Sequence, residues 1–230
     1  MNDLNANLQN INARIALACR QAGRLASEIS LLAVSKGQSA DKIRQLRTAG
    51  QLAFGENYLQ EALHKQEAVK DLTLDWHFIG PVQSNKTREI ARNFQWVQSV
   101  DRDKILVRLS DQRPADLPPL NVCLQVNIDR ESQKSGALPE EIPQLAQLAQ
   151  ALPGLRLRGL MAIPRADNTS SDALRSFQGM HGLFCRLQEN GLALDTLSMG
   201  MSADLELAIG AGSTMIRVGT GLFGNRSRDL

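Results

Sequence analysis

Three cysteines, Cys19, Cys123 and Cys185, are all that the 230 residues hold, and they stand far apart without any C-x-x-C spacing. Their scarcity excludes a disulfide framework and a cysteine-built zinc site, and a reducing cytoplasm is the expected compartment. Charge of one sign is lacking as well. The 26 basic and 24 acidic residues leave a net charge of +2 with no basic block, so nucleic acid is not an expected partner, while a small anionic ligand is allowed. There is no long apolar run. The amino-terminal stretch carries Asp3 and Arg14, which fits neither a signal peptide nor a membrane span, and no later window qualifies. No low-complexity linker or evident repeat divides the chain, and Pro114 to Pro119 reads as a loop. With 43% hydrophobic residues, residues 1–230 are expected to form one domain.

What the chain does hold is a succession of short apolar runs bounded by turn residues. They are Leu31 to Lys36, Leu52 to Asn57, Trp76 to Gly80, Trp96 to Asp101, Asn121 to Ile128, Arg158 to Pro164, Asp195 to Met201 and Met215 to Phe223. Between most of them apolar residues recur three or four apart, as in Ile43/Leu46/Ala49 and Phe177/His181/Phe184, which is helical spacing. Eight continuously apolar strands alternating with helices predict an α/β fold, a single (β/α)8 TIM barrel. After Phe223 only Gly224 to Leu230 remain, too few for a covering helix. Leu4, Leu8, Ile11 and Ile15 form an apolar stripe ahead of the first strand, so an additional helix within residues 1–27 is expected to pack beside strand eight instead.

Barrels of this kind carry their chemistry where the strands end. Lys36 closes the first run and meets Gly37. A lysine drawn partly out of water there is a candidate nucleophilic amine for a carbonyl compound, and a snorkelling surface lysine is the plainer reading. The last two strand ends, Ser198 to Ser202 and Arg217 to Thr220, offer hydroxyls and glycine amides suited to phosphate, or alternatively an ordinary helix cap at Ser202 ahead of Ala203 to Leu207. Arg217 lies inside an apolar run and needs a partner, either Glu206 or another acid in a salt bridge or an unprotonated ring nitrogen such as that of pyridoxal 5'-phosphate.

Read together, Ala33-Val34-Ser35-Lys36, Phe54-Gly55-Glu56-Asn57-Tyr58, His77-Phe78-Ile79-Gly80 with Gln83, Asn85 and Lys86, Gly159-Leu160-Met161, Leu197 to Ser202 and Arg217 to Thr220 closely resemble the pyridoxal phosphate homeostasis proteins, over essentially the whole chain and in order. That family is similar in fold to the barrel of alanine racemase and of fold-type III decarboxylases. The resemblance implies that Lys36 holds pyridoxal 5'-phosphate as a Schiff base and that Arg217 faces the pyridine nitrogen. It further implies that Ser202, Gly219 and Thr220 hold the phosphate, that Asn57 approaches the phenolic oxygen, and that Ser198 and Met199 line the pocket. His77 lies under the ring or is a satisfied core histidine. Asn127, Glu131, Lys134 and Gly136 match a further stretch, with Lys134 as a secondary acceptor of the cofactor. Gly37 stands where a threonine is expected and is expected to loosen the start of its loop.

A racemase needs acid and base on opposite faces of its substrate, and the related racemase takes its second base, a tyrosine, from an additional β-domain. The chain ends before such a domain, and its one tyrosine is Tyr58. The resemblance therefore implies a binding protein that buffers or delivers the cofactor and meets apo enzymes transiently, and with no exposed apolar stripe demanding a partner a monomer is expected. A racemase or decarboxylase of the same fold type is the alternative, and a Schiff-base aldolase a more distant one.

Overall fold

Asp3 starts the first helix by accepting hydrogen bonds from the amides of Asn5 and Ala6, which satisfies two of the donors that a helix start leaves over. Helix α1 (Leu4–Gln21) then buries Leu4, Leu8, Ile11 and Ile15 along one face, as their spacing predicts. The computed structural model describes residues 3–164 and 169–224. After a 3-10 turn at Ala26–Glu28, strand and helix alternate: β1 (Ser30–Val34), α2 (Ala40–Thr48), β2 (Ala53–Glu56), α3 (Leu59–Ala68), β3 (Asp75–Phe78), α4 (Thr87–Asn93), β4 (Trp96–Val100) and α5 (Asp103–Asp111). The second half continues with β5 (Leu120–Gln125), α6 (Ile142–Ala151), β6 (Leu155–Met161), α7 (Ser170–Glu189), β7 (Thr196–Ser198), α8 (Leu205–Gly210), β8 (Met215–Val218) and α9 (Thr220–Phe223). Every neighbouring pair of strands is parallel, and β1 bonds to β8, so the sheet closes into a barrel.

Strand alternation sends one set of side chains out to the helices and the other into the lumen. The outer set forms one continuous core, whereas Trp96, Cys123 and Met161 make a separate small cluster. The eighth apolar run is not one strand. It stops at Val218, and Thr220 to Phe223 turn into α9, whose Leu222 and Phe223 are buried as helix residues. Residues 225–230, the remainder of the expected tail, lie outside the described residues.

Helix α1 packs against α8, α9 and α2, on the flank that the short α9 leaves open. Polar contacts fix it there. The Asn7 side-chain amide donates to the Leu222 carbonyl at 2.8 Å, and Arg14 donates to both Glu206 carboxylate oxygens at 2.7 and 2.9 Å and to the Ser202 carbonyl at 2.9 Å. Among the described residues no helix is long and apolar enough to cross a membrane, and no cluster of three or more metal-ligating side chains occurs.

Candidate functional site

Strand β1 ends at Val34, and the chain turns at once through Ser35, Lys36 and Gly37. Ser35 is buried, Lys36 is half-buried, and Gly37 has φ +69°, a left-handed conformation in which a threonine would be strained. Glycine therefore suits this turn. The loop is not loosened there either, because the Gly37 amide donates to Glu61 Oε1 at 2.5 Å, which corrects the expectation drawn from the missing threonine.

On the other side of the β1–β8 seam, Ala33 is paired with Val218, so the turn after β8 leaves the barrel next to the turn after β1. Gly219 lies against Val34, where an added Cβ would sit 3.5 Å from the Val34 carbonyl oxygen. The Gly221 amide donates to Ser202 Oγ at 3.3 Å, which brings the loop after β7 onto the start of α9. Thr220 is exposed and Gly219 half-buried. Ser202 does not cap α8. Asp204 holds that position, with its carboxylate accepting from the Met201 amide at 2.6 Å, and the Ser202 hydroxyl is left facing α9. Lys36, Ser202, Gly219 and Thr220 thus gather at the carboxyl ends of adjoining strands.

Below them Arg217 is 4% exposed and donates to the Ser198 carbonyl and hydroxyl, each at 2.7 Å, and to the Ala162 carbonyl at 2.8 Å. Burial pulls its pKa down to about 10, so it remains a cation at neutral pH. Glu206 is not its partner, since Arg14 takes that carboxylate and holds it below the usual range. The Ser198 hydroxyl, having accepted from Arg217, donates to Gln98 Oε1 at 2.7 Å, and Gln98 Nε2 lies 2.8 Å from His77 Nδ1. His77 Nε2 is 3.3 Å from Asp75, and the ring stacks on Trp96 with centroids 4.9 Å apart. Asp75 and Trp96 begin their strands, so the imidazole points to the end of the barrel opposite the mouth. With a partner at each ring nitrogen and Trp96 against its face, His77 has the contacts of a satisfied core histidine.

Met199 also departs from the expectation. Ser198 points into the lumen, so its neighbour points outward, and the Met199 side chain is fully buried in the outer core. Asn57, at the end of β2, does reach the mouth. It borders a cavity of about 300 Å³ together with Ile79, Gln125, Asn127, Lys134 and Ile163, and its Oδ1 is buried without a hydrogen-bond partner among the described residues. Lys134 is ion-paired with Glu131 at 2.6 Å, and Asn127 pins that loop through the Glu131 amide and carbonyl.

Several groups that hold the site are not singled out in the sequence. Lys65 is 4% exposed on α3 and reaches the Ser35 carbonyl, Glu56 and Glu61, and Gln98 carries the lumen chain. Both leave a trace: Lys65 occupies the apolar stripe of Leu59 and Ala62, and Gln98 is a polar residue in the run Trp96 to Val100.

Residues 6–227 match the family model of the alanine racemase N-terminal domain. A pyridoxal phosphate homeostasis protein of Pseudomonas aeruginosa is 56% identical over 230 residues, covering 98% of this chain and 97% of that one. One of the same name from Escherichia coli K12 is 48% identical, covering 98% of each. Among solved structures, PipY of Synechococcus elongatus with PLP bound is similar at a TM-score of 0.83 and 35% identity, over 96% of this chain and all of that one. Alanine racemase from Corynebacterium glutamicum shares the fold at a TM-score of 0.70 and 16% identity, over 97% of this chain and 63% of that one.

Proposed function

Because the chain belongs to the alanine racemase N-terminal domain family, and within it to the pyridoxal phosphate homeostasis proteins, we propose that it binds pyridoxal 5'-phosphate and takes part in keeping the cell's supply of that cofactor. In this reading residues 1–230 act as one barrel domain, a monomer in the cytoplasm. The observation that carries it is the juxtaposition of one amine and one anion seat: Lys36 and the Ser202/Gly219/Thr220 turn leave the paired strands β1 and β8 and the adjoining β7 at one end of the barrel.

The residues fit the group. Backbone amides at the start of α9 and the Ser202 hydroxyl are donors suited to a phosphate. The Asn57 Oδ1, without a partner among the described residues, is a polar atom suited to a ligand, and a side-chain amide there meets a phenolic oxygen through either of its ends. Arg217, held by three carbonyl and hydroxyl contacts, keeps further N–H groups for a ring nitrogen, while Ser198 acts by orienting Arg217. When bound, the cofactor would supply an aldehyde with which a lysine amine condenses, releasing water, in a linkage that hydrolysis reverses. Lys36 would supply that amine, Ser202, Gly219 and Thr220 would hold the anion, and the cofactor would pass to apo enzymes in transient encounters at the mouth.

The test compares the visible absorbance of cofactor-loaded wild type and Lys36→Ala. The band is expected to vanish in the variant, and an undiminished band excludes Lys36 as the attachment point. Turnover is tested with loaded protein and a panel of amino acids in deuterated water. Slow or absent α-proton exchange is expected, whereas rapid exchange makes the protein a racemase or decarboxylase.

A further inference from the structure

A lysine in the apolar stripe of a helix is costly to bury, and a leucine of similar volume there commonly serves stability as well or better. Lys65 nevertheless occupies such a place on α3, in line with the buried Leu59 and Ala62. Its ammonium has three N–H groups, and three acceptors surround it: the Ser35 carbonyl at 2.6 Å, Glu56 Oε1 at 2.7 Å and Glu61 Oε1 at 2.6 Å. Two of these partners lead back to the same short loop. Glu56 Oε1 also accepts from the Ser35 hydroxyl at 2.6 Å, and Glu61 Oε1 also accepts from the Gly37 amide at 2.5 Å. The residue before Lys36 and the residue after it are therefore both tied to one buried ionic cluster, from the side of the sheet facing the helices.

We propose that Glu61, Lys65 and Glu56 are positioning residues for Lys36, fixing the backbone on both sides of it so that its amine is presented to the mouth and the bound cofactor is retained. This rests on the reading that Lys36 holds the cofactor. The cluster touches no ligand; it acts through the loop. The Gly37 turn requires a left-handed residue, and its amide would face solvent without Glu61, so the clamp replaces the stiffness that a side chain at position 37 would give. Burial raises the Glu56 pKa, and the Lys65 ammonium and Ser35 hydroxyl counter that shift, in keeping with a cluster that works as a unit.

Glu61 is the place to test it, because its side chain is 29% exposed and an alanine is readily accommodated. The full-length protein loaded with pyridoxal 5'-phosphate is diluted into an aldehyde trap and the decay of visible absorbance is followed. Glu61→Ala is expected to release cofactor at least fivefold faster than wild type. Glu61→Gln keeps an acceptor for both Gly37 and Lys65 and is expected to stay within twofold. Amide hydrogen exchange over residues 34–38 of the cofactor-free protein is expected to speed up in Glu61→Ala and not in Glu61→Gln, with no cofactor involved in the readout. Release at the wild-type rate from Glu61→Ala, equal release from the alanine and glutamine variants, or unchanged exchange overturns the proposal. Lys36→Ala separates the two ways of failing. A visible band that persists there removes Lys36 as the attachment and takes the positioning role with it. A band lost there, with wild-type release from Glu61→Ala, removes the positioning role alone.

Discussion

A thiol inside a barrel lumen has no water to stabilise its anion. Cys123 is fully buried beside Trp96 and Met161, and burial pushes its pKa up to about 12. Cys19, on the buried face of α1, is likewise 0% exposed, and burial raises its pKa. Cys185 stands half-exposed on α7, with its sulfur 3.6 Å from His181 Nε2. Iodoacetamide on the native protein is therefore expected to modify Cys185 and to spare the other two, as read by peptide mass spectrometry; comparable labelling of Cys123 would mean that the lumen opens to solvent. Reading single residues from sequence works where chemistry and position coincide. Lys36 shows itself because an apolar run ends on it. Lys65 does not, because its meaning lies in three acceptors that come from the turn after β1, from β2 and from α3. The resemblance puts both Ser198 and Met199 on the pocket, and the two-residue period of a strand separates them.

Helix α1 does for the barrel what a covering helix after β8 otherwise does. Ile11, 1% exposed, has its Cδ1 where a Cβ added to Gly221 would come within 3.3 Å, so the helix supports the turn proposed to hold the phosphate. Ile11→Ala is expected to lower stability by ~2–5 kcal/mol, the range for emptying a buried aliphatic site, and to weaken pyridoxal 5'-phosphate binding in parallel. Urea unfolding and an absorbance titration check the two effects; unaltered binding in a destabilised variant would separate α1 from the seat. At this scale the strands were legible, since each of the eight apolar runs overlaps the strand it predicts, and four of them enclose it whole. The eighth runs on past its strand into α9, because Leu222 and Phe223 suit a buried helix turn as well as a buried strand. The strong preference of serine for helix starts also misdirected Ser202, where Asp204 takes the cap.

Global stability carries the signature of the lumen. Burial lowers the His77 pKa, and the nearby Asp75 only partly offsets it. The unfolded chain thus binds a proton at His77 below about pH 6.5 that the folded protein refuses, and the stability contributed by the neutral ring is lost as pH falls through that value. The loss levels off once the folded-state pKa is passed. Between these limits the pH slope of the unfolding free energy is expected to be steeper in wild type than in His77→Gln by up to ~1.4 kcal/mol per pH unit, measured by urea denaturation at several pH values. Equal slopes would place His77 in a site that accepts the proton when folded. Barrel closure was itself readable from the count of runs, whereas the hydrogen-bonded chain from Arg217 through Ser198 and Gln98 to His77 joins four strands and is invisible to any local pattern. The bond from Asn7 to Leu222 spans 215 positions. A polypeptide still emerging from the ribosome holds Lys36 long before α9 exists, so on the proposed reading unfinished chains would leave the vitamin pool alone and the capacity to hold the cofactor would track the number of folded molecules.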